Sequence, residues 1–171
     1  GLGAYFSIPE RKGDGQIQAA PGVTRKQLNA ALGEVDDYIR RFAGEEQKCA
    51  APRVRACIGQ IRKTLENIRN NFEQDPADVA LAHQFLTQLL PKSHTVISQY
   101  NRLAAMTRDG RLAEQFKAVE DGIERIRLGF EGFYRKCLEN DLHDLEVESE
   151  ILNAILEMDQ PFLEVEERSR N

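Results

Sequence analysis

Residues 75–106 read DPADVALAHQFLTQLLPKSHTVISQYNRLAAM and form the most apolar long helical pattern in the chain. Apolar side chains recur at alternating steps of three and four, which predicts a central helix surrounded by other helices. Asp75, Pro76 and Asp78 suit its first turn, as cap, first helical residue and negative charge. Pro91 lacks an N–H group, so we expect a kink or a break there. The predicted stripe is Val79, Ala82, Leu86, Leu89, Val96, Tyr100 and Leu103, widened by Phe85, Leu90, Ile97 and Ala104.

Further stripes with the same spacing predict four more helices. The first covers about 24–43, with a capping box at Thr24 and Gln27 and an end at Gly44. The second covers 52–74. The fourth follows a turn at 107–110 and runs to about 138; its Gly122 and Gly129 indicate close approach of a neighbouring helix. A break at Asn140 and Asp141 precedes the fifth, about 142–158, whose inward side chains are Leu145, Leu152, Ile155 and Leu156.

These patterns predict an all-α fold, and no segment alternates as a strand would. Steps of three and four favour near-parallel packing at about 20°, and short turns make consecutive helices antiparallel. We expect an elongated antiparallel bundle of about five helices with coiled-coil-like packing, kinked near Pro91. An open pair of long antiparallel coiled coils fits the same pattern. The bundle domain is predicted at 24–160, between a linker at 1–23 and a C-terminal tail at 161–171.

Composition and charge restrict the class of protein. A chain of 171 residues is most simply one domain. Three cysteines, Cys49, Cys57 and Cys137, fit a reducing compartment better than a disulfide framework. The net charge of −5 is uneven, because residues 139–171 hold 11 Asp and Glu but only 2 Lys and Arg. Such acidity argues against a nucleic-acid partner.

The first residues, GLGAYFSIPERK, suggest a membrane anchor. A short apolar run followed by Arg11 and Lys12 is typical of the cytoplasmic end of a transmembrane helix. Because the chain starts at Gly1 without a Met, we expect that a preceding segment was removed. An ordinary flexible terminus has the same composition, so both interpretations stay open. No span of eighteen apolar residues occurs in the sequence.

One stretch has the spacing of a cysteine phosphatase loop. Residues 49–55 (CAAPRVR) place Arg55 six positions after Cys49. Such a site also needs backbone N–H groups that cradle phosphate, usually in a glycine-containing loop. This stretch has no Gly, and Pro52 removes one donor. We therefore expect a small cysteine and a solvated arginine at the start of a helix, and no catalytic residue.

Histidine and serine side chains offer two weaker candidates. His83 and His94 lie three turns apart on the central helix and cannot share one ion. His143 lies among Glu139, Asp141, Asp144 and Glu146, which resembles a metal site but is better explained as the acidic start of a helix. Ser93 and His94 could line a small polar pocket beside Pro91. We predict no catalytic, cofactor-binding or metal-binding residues and no cofactor.

Two stretches carry a family resemblance. Residues 83–100, from HQFLTQLLP to VISQY, and residues 137–152 (CLENDLHDLEVESEIL) resemble the bacterial 5-bromo-4-chloroindolyl phosphate hydrolysis protein family, also called XpaC-like. The resemblance covers about 50–158. It implies an all-helical cytoplasmic domain, often following N-terminal membrane segments, and an association with toxic-anion (tellurite) resistance. The family name describes a phenotype and does not establish that its members are the hydrolase.

From these observations we expect one of two functions. The first is an interaction or scaffold domain at the cytoplasmic side of a membrane, or in the cytoplasm. Its helix faces would bind protein partners or another copy, without nucleic acid, and would meet the membrane only through an N-terminal anchor. The second is a phosphatase acting on 5-bromo-4-chloroindolyl phosphate-like esters, which the family name suggests. Binding of a small ligand in the bundle core is a further alternative.

Overall fold

The computed structural model describes residues 14–107 and 109–158. Two short strands, β1 (Gln18–Ala20) and β2 (Val23–Thr24), precede α1 (Arg25–Lys48) and α2 (Pro52–Gln74), and α3 (Leu90–Met106) and α4 (Ala113–Met158) follow. Short 3₁₀ helices cover Asp14–Gln16, Pro76–Leu81 and Gly110–Leu112, and a π-helical turn covers Phe85–Leu89. The chain divides into two units, Gly1–Cys137 and Leu138–Asn171. The predicted all-α class is confirmed, and no described helix is long and apolar enough to span a membrane.

The part of the predicted linker that the structure describes contains a β-hairpin. β1 and β2 pair antiparallel, with Gln18 opposite Thr24, and Gly22 has a φ of 79° in the turn between them. Val23 is buried. The prediction that the chain has no strand was wrong, because strands of two and three residues are too short to show alternation. Residues 1–13, which include the predicted membrane-anchor end, lie outside the described residues, as does the predicted tail at 161–171.

α1 begins as predicted and ends later. Thr24 Oγ1 accepts from the Gln27 N–H, and Gln27 Oε1 accepts from the Thr24 N–H, which completes the capping box. Gly44 does not end the helix, which continues to Lys48. A glycine inside a helix costs on the order of 1 kcal/mol relative to alanine, which packing can offset. The later end matters because it places Glu45 inside the helix.

α2, rather than residues 75–106, carries the stripe that is buried without interruption. It covers Pro52–Gln74 as predicted, and its apolar stripe is buried throughout: Val54, Ile58, Ile61, Leu65, Ile68 and Phe72. Arg69 Nε donates to Asp36 of α1 at 2.8 Å, and Arg62 Nε donates to Glu46 at 2.7 Å. Because the later residue of α1 pairs with the earlier one of α2, the two helices are antiparallel.

Residues 75–106 do not form one kinked helix. The 3₁₀ helix Pro76–Leu81, the π-helical turn Phe85–Leu89 and α3 follow one another, and Asp75 makes no capping hydrogen bond with its side chain. Asp78 is buried and accepts from Asn71 Nδ2 at 2.5 Å. Pro91 falls in the first turn of α3, where its missing N–H is tolerated. An irregularity therefore occurs just before Pro91, in the form of a π turn.

The π turn changes which side chains are buried. From Ala82 onward the buried positions are Ala82, Phe85, Leu90, Ser93, Ile97, Tyr100 and Asn101. The step from Phe85 to Leu90 is five residues, the spacing of the i→i+5 hydrogen bond that Leu90 N–H donates to Phe85 O. The predicted stripe kept a step of three or four there. Val96 and Leu103, expected inside, are exposed, whereas Tyr100 of the same predicted stripe is buried.

α4 is one uninterrupted helix over Ala113–Met158. The break predicted at Asn140 and Asp141 is absent, so no fifth helix starts there and neither residue caps one. Within the first unit α4 runs antiparallel to α3, since Tyr100 contacts Glu120 and the earlier Phe85 stacks on the later Phe133. The close approach expected at Gly122 is also absent: a Cβ there would meet only Arg125 Nη2, at 3.9 Å.

Aromatic rings join three elements at the centre of the first unit. Phe130 of α4 is fully buried and lies edge-on to Phe42 of α1, at 6.0 Å between centroids, and to Phe85 of the π turn, at 5.2 Å. Phe133 stacks on Phe85 at 4.4 Å. Edge-to-face and offset-stacked pairs are the favoured arrangements of such rings. This cluster holds α1, α4 and the π turn in place.

Candidate interaction surface

The Cys49 loop does not form a phosphate cradle. Cys49 is buried between α1 and α2, and its Sγ donates to Ala51 O at 3.6 Å. Burial raises the pKa of the Cys49 thiol, and the nearby Arg55 only partly opposes it. Arg55 Nε donates to Glu46 O at 3.0 Å and thus binds a carbonyl at the C-terminal end of α1. Its guanidinium is a helix cap, which agrees with the expected structural role.

Cys57 is likewise held in the thiol form. It lies on α2, and its Sγ donates to Glu124 Oε2 at 3.4 Å and to Ile123 O at 3.6 Å. Burial, followed by the hydrogen bond to Glu124, raises the pKa of Cys57 to about 12. The hydrogen bond from Arg127 is the main reason that the pKa of Glu124 is lowered. A nucleophilic cysteine reacts as the thiolate, whereas the raised pKa keeps Cys57 in the thiol form. Cys57 therefore packs as an apolar residue.

Ser93 and His94 have different surroundings in the structure. Ser93 is buried, whereas the His94 ring lies edge-on to Tyr38 and Phe42 of α1, at centroid distances of 5.8 and 5.6 Å. His83 is exposed, on the stretch before the π turn. This packing of His94 supports a structural role for the ring.

The stability of the folded chain is expected to depend on the protonation of His94. Burial lowers the pKa of His94 below its ordinary value of 6.5, and Glu45 opposes this shift only in part. The unfolded chain therefore binds more protons than the folded chain below about pH 6.5. The contribution of His94 is complete above that pH and decreases as the pH falls through the lowered value. Urea unfolding at a series of pH values between 4.5 and 7.5, as a rough range around the ordinary histidine pKa, measures it.

The variant His94→Gln should show a flatter dependence over the same interval, since the titrating group is gone. His83→Gln is the matched control, because His83 is exposed. An unchanged slope in His94→Gln would contradict this assignment.

A buried polar pair joins α1 to α3. Glu45, only 6% exposed, accepts from Asn101 Nδ2 at 2.9 Å through its carboxylate, and its backbone carbonyl accepts from the same nitrogen at 2.9 Å. Lys48 Nζ lies 3.6 Å from the carboxylate. Neither partner was predicted, and the predicted helix ended at Gly44, before Glu45. The apolar residues of α1 recur at steps of four and three, and one more step of three reaches Glu45, so the signal was present: Leu28, Leu32, Val35, Ile39 and Phe42.

An apolar groove lies between α3 and the start of α4. Its volume is about 370 Å³, and its lining includes Val96, Tyr100, Leu103, Leu112, Phe116 and Val119. At one side Tyr100 Oη donates to Glu120 Oε2 at 3.0 Å. Burial, and then this hydrogen bond, raises the pKa of Tyr100 and keeps the phenol protonated. The groove could hold an apolar group near one fixed polar pair.

The second unit, by itself, is an acidic helix with exposed apolar side chains. Its described residues, 138–158, contain seven Asp and Glu and no Lys or Arg. Leu145, Leu152, Ile155 and Leu156, predicted to face inward, are each 50–64% exposed. His143 is also exposed, together with Glu139, Asp144 and Glu146. The helix pattern was predicted correctly, whereas the burial was not, because periodicity alone does not show whether a partner is present.

Exposed apolar positions in this unit follow a heptad. The positions are separated by alternating steps of four and three, the spacing of the a and d positions of a heptad repeat: Leu138, Leu142, Leu145, Ser149, Leu152 and Leu156. The five leucines among them are exposed. We call these six positions the heptad face. Contiguous exposed apolar surface of this kind typically marks a protein interaction site.

Fold and surfaces together define a helical-bundle protein with an exposed heptad face. Among the described residues of the first unit, no three His, Cys, Asp or Glu side chains converge closely enough to hold a metal ion. The chain belongs to the 5-bromo-4-chloroindolyl phosphate hydrolysis protein family, whose model matches residues 1–152. The family membership predicted from the sequence is thus confirmed. No curated protein and no solved structure matches the chain significantly.

Proposed function

We propose that this chain is a helical interaction domain that binds a protein partner through the heptad face on α4. The exposure of its leucines carries the proposal: Leu145 is 64% and Leu152 is 54% exposed. Burying one leucine side chain contributes roughly 1.5–3 kcal/mol. Several leucines exposed at heptad spacing therefore supply enough free energy for a partner helix to bind. The buried thiols and the histidine packed among aromatic rings support binding rather than catalysis.

Affinity capture with the full chain tests this function. Leu152→Glu should abolish recovery of a partner, because it places a charge within the apolar face. Leu128→Glu is the matched control, since Leu128 lies on the same helix, is 53% exposed and belongs to the first unit. Partners retained equally by both variants would show that binding uses another surface, and circular dichroism should show unchanged helix content in both.

A tether at the cytoplasmic side of a membrane is part of the same proposal. Its support is the sequence of residues 1–12, an apolar run followed by Arg11 and Lys12. Carbonate extraction of membranes from cells that express the full-length gene product tests the tether. An integral anchor keeps the protein in the membrane pellet, whereas release into the wash contradicts it.

Phosphate-ester hydrolysis is the second candidate, and the family match favours it. Purified chain incubated with 5-bromo-4-chloroindolyl phosphate, with and without divalent metal ions, should show no turnover that survives repurification. Turnover lost in Cys49→Ser or in His143→Ala would establish the hydrolase instead. Cys49 and His143 are the residues weighed above as candidates for catalysis and metal binding. Neither side chain belongs to the heptad face.

A further inference from the structure

Every charged residue at the positions that flank the heptad face is acidic. With Leu138, Leu145 and Leu152 at d, the e positions are Glu139, Glu146 and Asn153, and the g positions are Asp141, Glu148 and Ile155. Residues at e and g contact the partner helix and set partner choice through ion pairs. Of these flanking residues, Glu139, Glu146 and Glu148 are exposed and present carboxylates to whatever covers the leucines.

A second copy of this helix is a poor occupant. A parallel pair would bring two such helices side by side, each with seven Asp and Glu and no Lys or Arg over residues 138–158. In an antiparallel pair e meets e and g meets g, which again juxtaposes carboxylates. Like charges across a helix interface are destabilising. The chain's own residues 159–171 do not complement the face either, because they hold four Asp and Glu against two Arg.

We propose that the partner is an amphipathic helix of another protein with apolar residues at a and d and Lys or Arg at e and g. This inference rests on the proposed function, and it adds the chemistry of the partner. At 1.5 Å per residue the described part of the acidic helix is roughly 30 Å long, enough for three heptads. Basic flanks would pair with Glu139, Glu146 and Glu148, while apolar a and d residues cover the leucines. Ser149, the one polar residue on the face, favours a single register.

Synthetic peptides of three heptads serve as probes for the full chain. One carries Leu at a and d with Lys at e and g, the second carries Glu at e and g, and the third is a scrambled version of the first. Isothermal titration calorimetry should show the basic heptad peptide binding at least about tenfold more tightly than either of the others. The preference should decrease in high salt, because the flanking charges are exposed.

Two variants assign the binding to residues. The charge reversal E146K/E148K should shift the preference from the basic toward the acidic peptide, and Leu152→Glu should weaken binding of the basic peptide at least about tenfold. Leu128→Glu should bind like the unmodified chain.

The outcomes separate the partner chemistry from the function. Equal binding of the acidic and basic heptad peptides, lost in Leu152→Glu, overturns the basic partner and leaves the interaction domain intact. A homodimer in analytical ultracentrifugation that dissociates in Leu152→Glu also overturns it, since a second copy then occupies the face. Failure of every peptide, together with partner capture that Leu152→Glu does not affect, overturns both.

Discussion

Phe130→Ala is expected to lower the free energy of unfolding by about 3–5 kcal/mol. Phe130 is fully buried and touches the rings of Phe42 and Phe85, so its removal leaves a cavity where α1, α4 and the π turn meet. A domain of this size is typically stable by only about 5–15 kcal/mol. Urea unfolding followed by far-ultraviolet circular dichroism measures the change.

Leu128→Ala is the control for this prediction, because Leu128 lies two residues away on the same helix and is exposed. Its unfolding midpoint should change little, since exposed substitutions usually stay within about 0.5 kcal/mol. Equal midpoints for Phe130→Ala and Leu128→Ala would mean that the aromatic cluster does not hold the bundle together.

α2 shows what periodicity can predict. Pro52 at its first position, a regular four–three stripe and a uniform polar face all indicate the same helix, and the structure has it over Pro52–Gln74. Every residue of that stripe is buried. Local propensity, capping and burial agree in this segment, and this agreement makes a helix predictable without an alignment.

The stretch 75–106 shows where periodicity fails. A π turn adds one residue to the repeat, so every side chain after it is rotated relative to an uninterrupted α-helix. No residue type marks such a turn in advance, although Pro91 did indicate an irregularity nearby. After this turn Leu90 and Ile97 are fully buried, whereas Val96 is 40% exposed.

For the candidate surface, the sequence did not show whether the leucines are buried or exposed. The leucines of the heptad face were recognised as a stripe, but a stripe is equally apolar whether it packs within its own chain or is exposed. In the structure Leu145 and Leu152 are exposed, on a helix that continues through Asn140 and Asp141 without a break. Asp and Asn are common in turns and caps, and in this helix they occupy its interior. Tertiary context, and not local propensity, thus determined the helical conformation of these two residues.

Asn101→Leu is expected to destabilise the chain by about 2–3 kcal/mol, because it leaves the buried carboxylate of Glu45 without its amide donor. The backbone carbonyl of Glu45 is less affected, since it also accepts from the Cys49 N–H at 3.1 Å. Lys48 is at 3.6 Å and mostly exposed, so it compensates only weakly. Urea unfolding at neutral pH measures the loss.

The double variant Glu45→Leu/Asn101→Leu distinguishes a polar pair from simple packing. Replacing both partners by apolar groups removes the unsatisfied carboxylate, so the double variant should be less destabilised than the sum of the two single variants, with a coupling of about 1–2 kcal/mol. Strictly additive effects would show that the two side chains act independently. The pair would then contribute shape alone to the contact between α1 and α3. A measured coupling would instead show that one hydrogen-bonded carboxylate helps to position α3, and with it the groove that α3 forms with α4.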